Sequence, residues 1–359
     1  MDISIVLPTY KEAENIALVV SEIRKSVSEA GYEIVVVDDN SPDGTWLYAV
    51  NLIGDNDIVI RRINIKGLST AILDGIIFSL KEYVVVMDAD LQHPPQYINN
   101  MVKVVENGDI DVVIGSRYMI GGGIEGWTKS RIIISKGATL IAKLMLPSTR
   151  GLTDPMSGFF MVKREKVVAN RERLNPRGYK ILLEILEKCQ PLNVSETPYV
   201  FRSRVYGKSK LGAKTIIDYI LHVLKLSGWR PVKFGVVGAL GMLVNLGVIE
   251  FLRRTYSYLV QRYFVVGSLL AIEISTLFNF TLHELWTFRD RRGGNMFIRL
   301  LLFHTTILPS ILSQFIASNI LFYAFSIDPL ISQFIGILIG FPINYILSEL
   351  GIWRKRSFE

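Results

Sequence analysis

Apolar positions follow two rhythms along this chain. In the first part, short apolar runs alternate with stretches whose apolar residues recur at helical spacing. Ile3–Leu7 predicts a strand, and Glu14–Ser28 a helix with Ile16, Val19, Val20, Ile23 and Val27 on one face. Tyr32–Val37 is a continuous apolar strand ending in Asp38 and Asp39. A helix over Thr70–Leu80, a buried strand over Tyr83–Met87, a helix over Gln96–Glu106 and a strand over Asp111–Ile114 follow. Apolar strands alternating with amphipathic helices describe a parallel sheet with helices on both faces. Ligands of such sheets bind beyond the carboxyl ends of the strands, where this chain places Asp38/Asp39 and Asp88/Asp90.

From Phe234 onward the rhythm changes. Phe234–Leu252, Tyr263–Leu282, Phe297–Phe325 and Pro329–Leu350 are almost uninterrupted apolar stretches. A spanning helix needs roughly 20 such residues to cross about 30 Å of hydrocarbon; each stretch qualifies, the first barely. Buried helices of a soluble core rarely run so long and normally keep a polar face. Charge agrees, with 10 Lys/Arg and 7 Asp/Glu among the last 126 residues against 30 and 26 in the first 233. The expectation is an all-α transmembrane domain of four helices over residues 231–359. Arg289, Arg291, Arg292, Arg299, Arg354, Lys355 and Arg356 gather on one side of it, while the loop at Asp328 carries no cation. That bias places the N-terminal domain and the C-terminus in the cytoplasm. Ile3–Leu7 is too short to be a signal peptide.

The membrane part also repeats itself. Asn279–Leu285 (NFTLHEL) recurs as Asn344–Leu350 (NYILSEL), which indicates two similar hairpins. Glu273, His304, Gln314 and Asn319 lie inside apolar stretches. Hydrogen bonding between helices is favoured for them over a functional site.

Whole-chain totals exclude more than they select. Half of the 359 residues are apolar, which excludes a disordered chain, and the net charge of +7 points to anionic partners. With Cys189 as the one cysteine, no disulfide forms within the chain and a structural zinc site is disfavoured. The patterns GxxxxGK[ST], HExxH and GxSxG do not occur, which removes the P-loop, zinc-protease and serine-hydrolase readings, and Gly121-Gly122-Gly123 is not a GxGxxG turn directly after a strand, which leaves a dinucleotide fold little support.

Asp88-Ala89-Asp90-Leu91-Gln92 carries the sharpest chemistry. If it continues extended from its strand, side chains 88, 90 and 92 point the same way. Two carboxylates and an amide oxygen form a hard-oxygen set for Mg²⁺ or Mn²⁺, with positions left for phosphate oxygens. An acidic turn capping a helix is the plain alternative. The position after a buried strand, beside a second acidic strand end, favours the metal.

Two amphipathic stretches complete the pattern. Arg131, Ser135, Thr139 and Lys143 recur every fourth residue through the apolar 131–146 segment. Lys214, Asp218, His222 and Lys225 form a stripe opposite Ile216, Ile217, Ile220 and Leu221. Both suit helices lying in a membrane interface with cationic edges towards headgroups, and the first suits packing on the sheet equally well.

Several segments together resemble a family: Pro8–Asn15 (PTYKEAEN), Val37–Thr45 (VDDNSPDGT), Asp88–Pro94, Gly115–Tyr118 (GSRY) and Asp154–Phe160 (DPMSGFF). They look like family 2 inverting glycosyltransferases of GT-A fold, an α/β nucleotide-sugar-binding sheet. Phe201–Gly212 (FRSRVYGKSKLG) narrows the likeness to dolichyl-phosphate mannose synthases and their polyprenyl-phosphate glucosyl relatives. The C-terminal part is similar to the GtrA-like four-helix membrane domain. The resemblance implies a catalytic domain over 1–212, an interfacial helix over 213–230 and the membrane domain beyond. It implies that Pro8, Tyr10, Glu12, Val37 and Asp39 hold the nucleoside, with Arg202 and Lys208 also on the donor. Asp88, Ala89, Asp90 and Gln92 would hold diphosphate, sugar and metal, the metal ligands being Asp88, Asp90 and Gln92. Arg117, Arg131 and Ser135 would meet the acceptor phosphate, and Asp90, Arg117 and Arg131 would carry catalysis. Arg204 and Lys210 add further cations for either phosphate.

The implied reaction moves mannose from GDP-mannose to dolichyl phosphate, with the lipid bilayer as a partner and no nucleic acid. A lipid phosphate is already anionic at neutral pH, so the chemistry needs charge neutralisation rather than the paired catalytic carboxylates of a glycoside hydrolase. A polyprenyl-phosphate glucosyltransferase using UDP-glucose, or a lipid-linked sugar flippase with a fused transferase, are the alternatives.

Overall fold

The computed structural model describes residues 1–64, 66–175, 178, 180–203, 213–256, 258, 262–289 and 295–351. The chain divides into two compact units, Met1–Leu226 and Ser227–Glu359. The first is built on strands β1 (Asp2–Thr9), β2 (Gly31–Asp38), β3 (Ile58–Arg61), β4 (Tyr83–Val86) and β5 (Val112–Ser116). Later in the chain come β6 (Gly123–Ile124), β7 (Phe160–Lys163), β8 (Val194–Pro198) and β9 (Val200–Phe201). A seven-stranded sheet runs β3-β2-β1-β4-β7-β5-β8, and β6 pairs with β9 beside it. The all-parallel expectation needs correction, because β7 lies antiparallel between β4 and β5.

Strand alternation builds two apolar layers. Ile3, Ile5, Leu7, Ile34, Val36 and Val85 face helices α1 (Ile16–Ser26) and α4 (Ile98–Glu106). Val6, Val35, Val37, Val84 and Val86 face α3 (Leu68–Phe78) and α7 (Ile181–Lys188) on the other side. Burial on both faces is why these strands read as unbroken apolar runs. The short helices α2 (Thr45–Leu52) and α6 (Arg164–Val168) complete the covering.

Helices α5 (Lys129–Met145) and α8 (Ala213–Leu226) pack on each other. Tyr219 donates its hydroxyl to the Ala138 carbonyl at 2.6 Å, and Ala142, Leu146 and Val223 share a cluster with Met156 and Leu183. The polar stripe of α5 turns inward: Thr139 is buried while Ile133, Ile134 and Leu140 are exposed. The polar edge expected towards headgroups therefore faces the interior of the unit, while Ala142 and Leu146 pack beside Leu183.

The described residues of the second unit form α9 (Arg230–Thr255), α10 (Phe264–Leu282), α11 (Met296–Phe325) and α12 (Pro329–Gly351). Gly228 and Trp229, both at positive φ, separate α8 from α9. Among the described residues, three helices are long and apolar enough to cross a membrane: Arg230–Thr255, Phe264–Thr287 (α10 with a π-helical turn) and Met296–Phe325. His304 Nε2 lies 3.1 Å from Glu273 Oε1 on the neighbouring helix, whereas Asn319 bonds back to Phe315 within its own helix. Interhelical bonding therefore does not account for the Asn319 amide nitrogen.

Candidate active site

The carboxyl ends of β1 and β2 lie side by side, Pro8 opposite Val37 and Thr9 opposite Asp38. Asp38 is a structural lock, accepting from Thr9 Oγ1 at 2.9 Å and from the Ser41 amide and hydroxyl at 2.8 and 2.6 Å. Its neighbour Asp39 turns the other way, with one oxygen 2.9 Å from Arg62 Nη1 and the other accepting from the Gly67 amide at 2.7 Å. Arg62 reaches on to Asp74 at 3.0 Å and Thr70 at 2.7 Å, closing the loop before α3 over this strand end. Tyr10 stands exposed, with the ammonium groups of Lys66 and Lys11 at 5.4 and 5.7 Å from its ring. Glu12 is fixed by its amide bond to Thr45 Oγ1 at 3.0 Å and by Asn15 Nδ2 at 2.6 Å from its carboxylate.

Beyond β4 the expected extended segment is replaced by a turn. The strand stops at Val86, and Leu91 adopts φ +61°. Side chains 88, 90 and 92 therefore do not alternate as on a strand. The Asp88 carboxylate is 37% exposed and shares a cavity wall with Gln92. Asp90, at 2% exposure, accepts the Gln92 amide at 3.1 Å. Ala89 is buried beside it. Gln92 and Arg202 are tied by two bonds, Arg202 N to Gln92 O at 3.0 Å and Gln92 Nε2 to Arg202 O at 3.2 Å. Two segments far apart in sequence thus meet at this turn. Arg204, Lys208 and Lys210 lie outside the described residues.

His93 supports the turn from below. Its Nδ1 accepts the Asp88 amide at 3.0 Å, and its ring stacks on Phe159 at 5.4 Å. Burial drives its pKa down to about 4, against partial compensation from Asp90. The imidazole is neutral, with its proton on Nε2. Gly158 leaves this packing possible, since a Cβ there would sit 3.2 Å from the His93 ring and 3.7 Å from Asp88 Oδ2.

Cations line the same cavity. Arg117, buried, binds Asp154 through Nε at 2.7 Å, Nη2 at 2.9 Å and its backbone amide at 3.1 Å. Burial opposes the charge of Arg117, but the Asp154 bonds and attraction outweigh it and hold the pKa above that of free arginine. Asp154 is in turn held by Glu196, which accepts its amide at 2.9 Å. Trp127 joins the two arginines, with Arg131 at 4.2 Å and Arg117 at 5.4 Å from its ring. Ser135 accepts the Tyr118 hydroxyl at 2.8 Å. Lys180 donates to the Met156 carbonyl at 2.7 Å, and burial followed by repulsion from Arg117 lowers its pKa to about 8.

One cavity of about 470 Å³ connects these parts, running from Asp88 and Gln92 past Arg117, Arg131 and Ser135 to Ile141 on α5 and Ile220 on α8. Asp90 is not among its lining residues. No cluster of three His, Cys, Asp or Glu side chains occurs among the described residues. Asp88 and Gln92 nevertheless offer oxygen donors on one wall, a set that fits a hard cation sharing phosphate oxygens. Asp154, Trp127, Lys180 and Arg62 join the site without having been assigned roles in the sequence. Asp154 stood inside a recognised segment, but nothing local pairs it with Arg117, 37 residues away.

Fold and cavity define a nucleotide-sugar transferase class joined to a helical membrane unit, and comparison with known proteins agrees. Residues 4–168 match the glycosyl transferase family 2 domain, and residues 233–353 match the GtrA/DPMS transmembrane domain. The chain is 41% identical over 359 residues to a dolichol-phosphate mannosyltransferase of Pyrococcus furiosus, covering 98% of this chain and 99% of that one. It is 34% identical over 239 residues to the dolichol-phosphate mannosyltransferase of Saccharomyces cerevisiae, covering 63% of this chain and 87% of that one. Among solved structures, glucosyl-3-phosphoglycerate synthase of Mycobacterium tuberculosis in complex with Mn²⁺, UDP-glucose and glycerol 3-phosphate is similar in fold. Its TM-score is 0.50 at 20% identity, over 63% of this chain and 80% of that one. The chain belongs to the family 2 glycosyltransferases that carry a GtrA/DPMS transmembrane domain. It is a membrane-embedded glycosyltransferase of GT-A fold.

Proposed function

We propose that the chain transfers mannose from GDP-mannose to dolichyl phosphate with inversion, its catalytic unit and C-terminus facing the cytoplasm. The observation that carries this reading is one cavity that joins Asp88 and Gln92, the cations Arg117 and Arg131, and a mostly apolar end between α5 and α8 where Asp218 and His222 also line it. The names of the mannosyltransferase relatives support the sugar and the lipid. The chain's cation bias supports the sidedness.

In this reading Pro8, Tyr10, Glu12, Val37 and Asp39 receive the nucleoside, and the Asp88–Gln92 turn with Arg202 and Lys208 receives the diphosphate. A bound Mg²⁺ or Mn²⁺, held by Asp88 and Gln92 with Asp90 behind them, would neutralise charge on the departing diphosphate. The lipid enters between α5 and α8, and its phosphate meets Arg131 and Ser135. Arg117, already neutralised by Asp154, keeps Trp127 and so Arg131 in place. A phosphate oxygen attacks the anomeric carbon from the face opposite the diphosphate. The new C–O bond forms as the bond to the β-phosphate oxygen breaks, and GDP leaves with the electron pair. No proton has to be removed from the nucleophile, so the protein's task is alignment and charge.

The test is a donor screen of GDP-mannose, UDP-glucose and UDP-GlcNAc with a polyprenyl phosphate, with and without EDTA. Turnover confined to GDP-mannose and abolished by EDTA is expected; preference for UDP-glucose replaces the reading by the glucosyl one. Arg131→Ala should raise the KM for lipid acceptor about 10- to 100-fold, the range of one charge-assisted hydrogen bond. Unchanged kinetics would remove Arg131 from the acceptor site. Full activity in Asp90→Ala would remove Asp90 from the diphosphate site.

A further inference from the structure

The second unit holds a polar cavity of about 50 Å³ that the transfer reaction leaves unused. Each of its helices contributes one carboxamide: Asn245 from α9, Asn279 from α10, Gln314 from α11 and Asn344 from α12. Ser275 and Ser310 add hydroxyls, and no Asp, Glu, Lys or Arg lines the cavity among the described residues. Asn279 and Asn344 hold the same place in the repeated segments Asn279–Leu285 and Asn344–Leu350. The repeat therefore delivers both of its asparagines to one point between the two hairpins. Gly241 makes the room, because a Cβ there would collide with the Asn279 carboxamide.

The hydrogen-bond inventory around this cavity is incomplete. Asn245 is 1% exposed; its Nδ2 donates to Ser275 Oγ at 3.1 Å, but its Oδ1 has no partner among the described residues. Asn279 Oδ1 and Gln314 Nε2 are in the same condition. By contrast, Ser310 donates to the Gly340 carbonyl at 2.7 Å and Asn344 accepts from Ser348 at 3.0 Å. Inside a membrane bundle such groups must find partners within the protein or in a bound ligand. A cation would ask for acceptors alone and an anion for donors alone. Carboxamides present both, whichever way each is turned, and a hydroxyl group both donates and accepts.

We propose that this cavity is a binding site for hydroxyl groups, occupied at its present size by a small cluster of waters where the two repeats meet. A buried water needs about 10–15 Å³ of such space and makes about three hydrogen bonds, so the volume admits a few waters and no hexose. Sugar hydroxyls of a glycolipid share the chemistry, and the experiment separates the two sources.

X-ray radiolytic labelling of the full chain in phosphatidylcholine nanodiscs reads bound water through Met242, which lines the cavity. Met101 and Met161, fully buried in the sheet layers, serve as dry references. Met242 should label several-fold more than both. Asn245→Leu and Asn279→Leu should each bring it down to the reference level while the protein still elutes as the wild type does. Gly241→Ala, which pushes a methyl group at Asn279, should do the same and covers the case in which a leucine variant fails to fold. Wild-type Met242 labelling no stronger than the references, or labelling that survives all these substitutions, overturns the proposal. With octyl mannoside added, labelling should stay unchanged, because the volume admits no hexose; lost labelling would overturn the assignment to water in favour of sugar hydroxyls in a widened cavity.

Discussion

Each unit holds a bidentate arginine–carboxylate pair, Arg117–Asp154 in the catalytic unit and Arg299–Glu284 in the membrane unit. The geometries match: 2.7 and 2.9 Å in the first, 3.0 and 2.6 Å in the second. Their surroundings are opposite. In the catalytic unit both faces of the sheet are packed with apolar side chains, and buried charges occur on the cavity wall, as at Arg117, and away from it, as at Glu33, Asp111 and Glu184. In the membrane unit the outside is apolar, with Leu243 and Leu301 exposed, while Asn245, Ser268 and Ser318 are buried. There a buried polar group is the packing rule, since side chains facing lipid gain nothing from being polar. Buried charge alone thus locates a functional site in neither unit; in the catalytic unit the signal is charge converging on one cavity, as Arg117 and Lys180 do.

The sharpest attempt to break that contrast is Asp154→Ala. It leaves the Arg117 guanidinium buried beside Trp127 without its carboxylate, a change of about 3–5 kcal/mol for a dismantled buried pair. Transfer should be lost, and the amides of β4 and β5 should exchange faster by hydrogen-exchange mass spectrometry. Glu284→Ala should leave those sheet amides unchanged. If the two variants weaken the sheet equally, the units are not independent in stability and the contrast fails.

A smaller effect comes from protons. His93 sits at about 4 where a free imidazole sits at 6.5, because burial disfavours its charged form. Below about pH 6.5 the unfolded chain takes up a proton that the native chain refuses until about pH 4. The stabilisation is therefore complete above pH 6.5 and is lost as the pH falls towards 4, by about 3 kcal/mol in all. Hydrogen exchange of the sheet in EDTA across this window should show the loss, and His93→Phe should flatten the profile. A wild-type profile already flat between pH 6.5 and 4 would mean that the ring is charged in the native state.

The same contrast sets what could be read from the chain. Strands β1, β2 and β4 were legible because burial on both faces leaves them uniformly apolar, and the acidic residues after β2 and β4 marked the ligand end of the sheet. The antiparallel place of β7 was not, because pairing direction leaves no trace in the apolar pattern of a strand. The Asp88–Gln92 segment was legible as a site but not as a shape. Nothing in Leu91 announces φ +61°, a conformation that the surrounding packing imposes. Lys180 and Asp154 escaped because their roles depend on neighbours distant in sequence. In the membrane unit hydropathy located the helices, while their inward faces came only from packing. Asn279 and Asn344 were visible as a repeat, and their shared cavity was not.

The smallest expected effect isolates burial itself. Arg253 lies 2.8 Å from Glu250 and 3.3 Å from Asp328, distances close to those of the Arg299 pair, yet its side chain is 43% exposed against 14% for Arg299. Exposed pairs gain little, because each charge is already solvated and two long side chains must be held still. Arg253→Ala should leave the melting temperature of the detergent-solubilised protein unchanged within error, whereas Arg299→Ala, which abandons a buried Glu284, should lower it clearly. Equal losses would show that position at the end of a membrane helix, rather than burial, decides what an ion pair contributes here. The contrast between the units would then rest on the lipid and not on the interior.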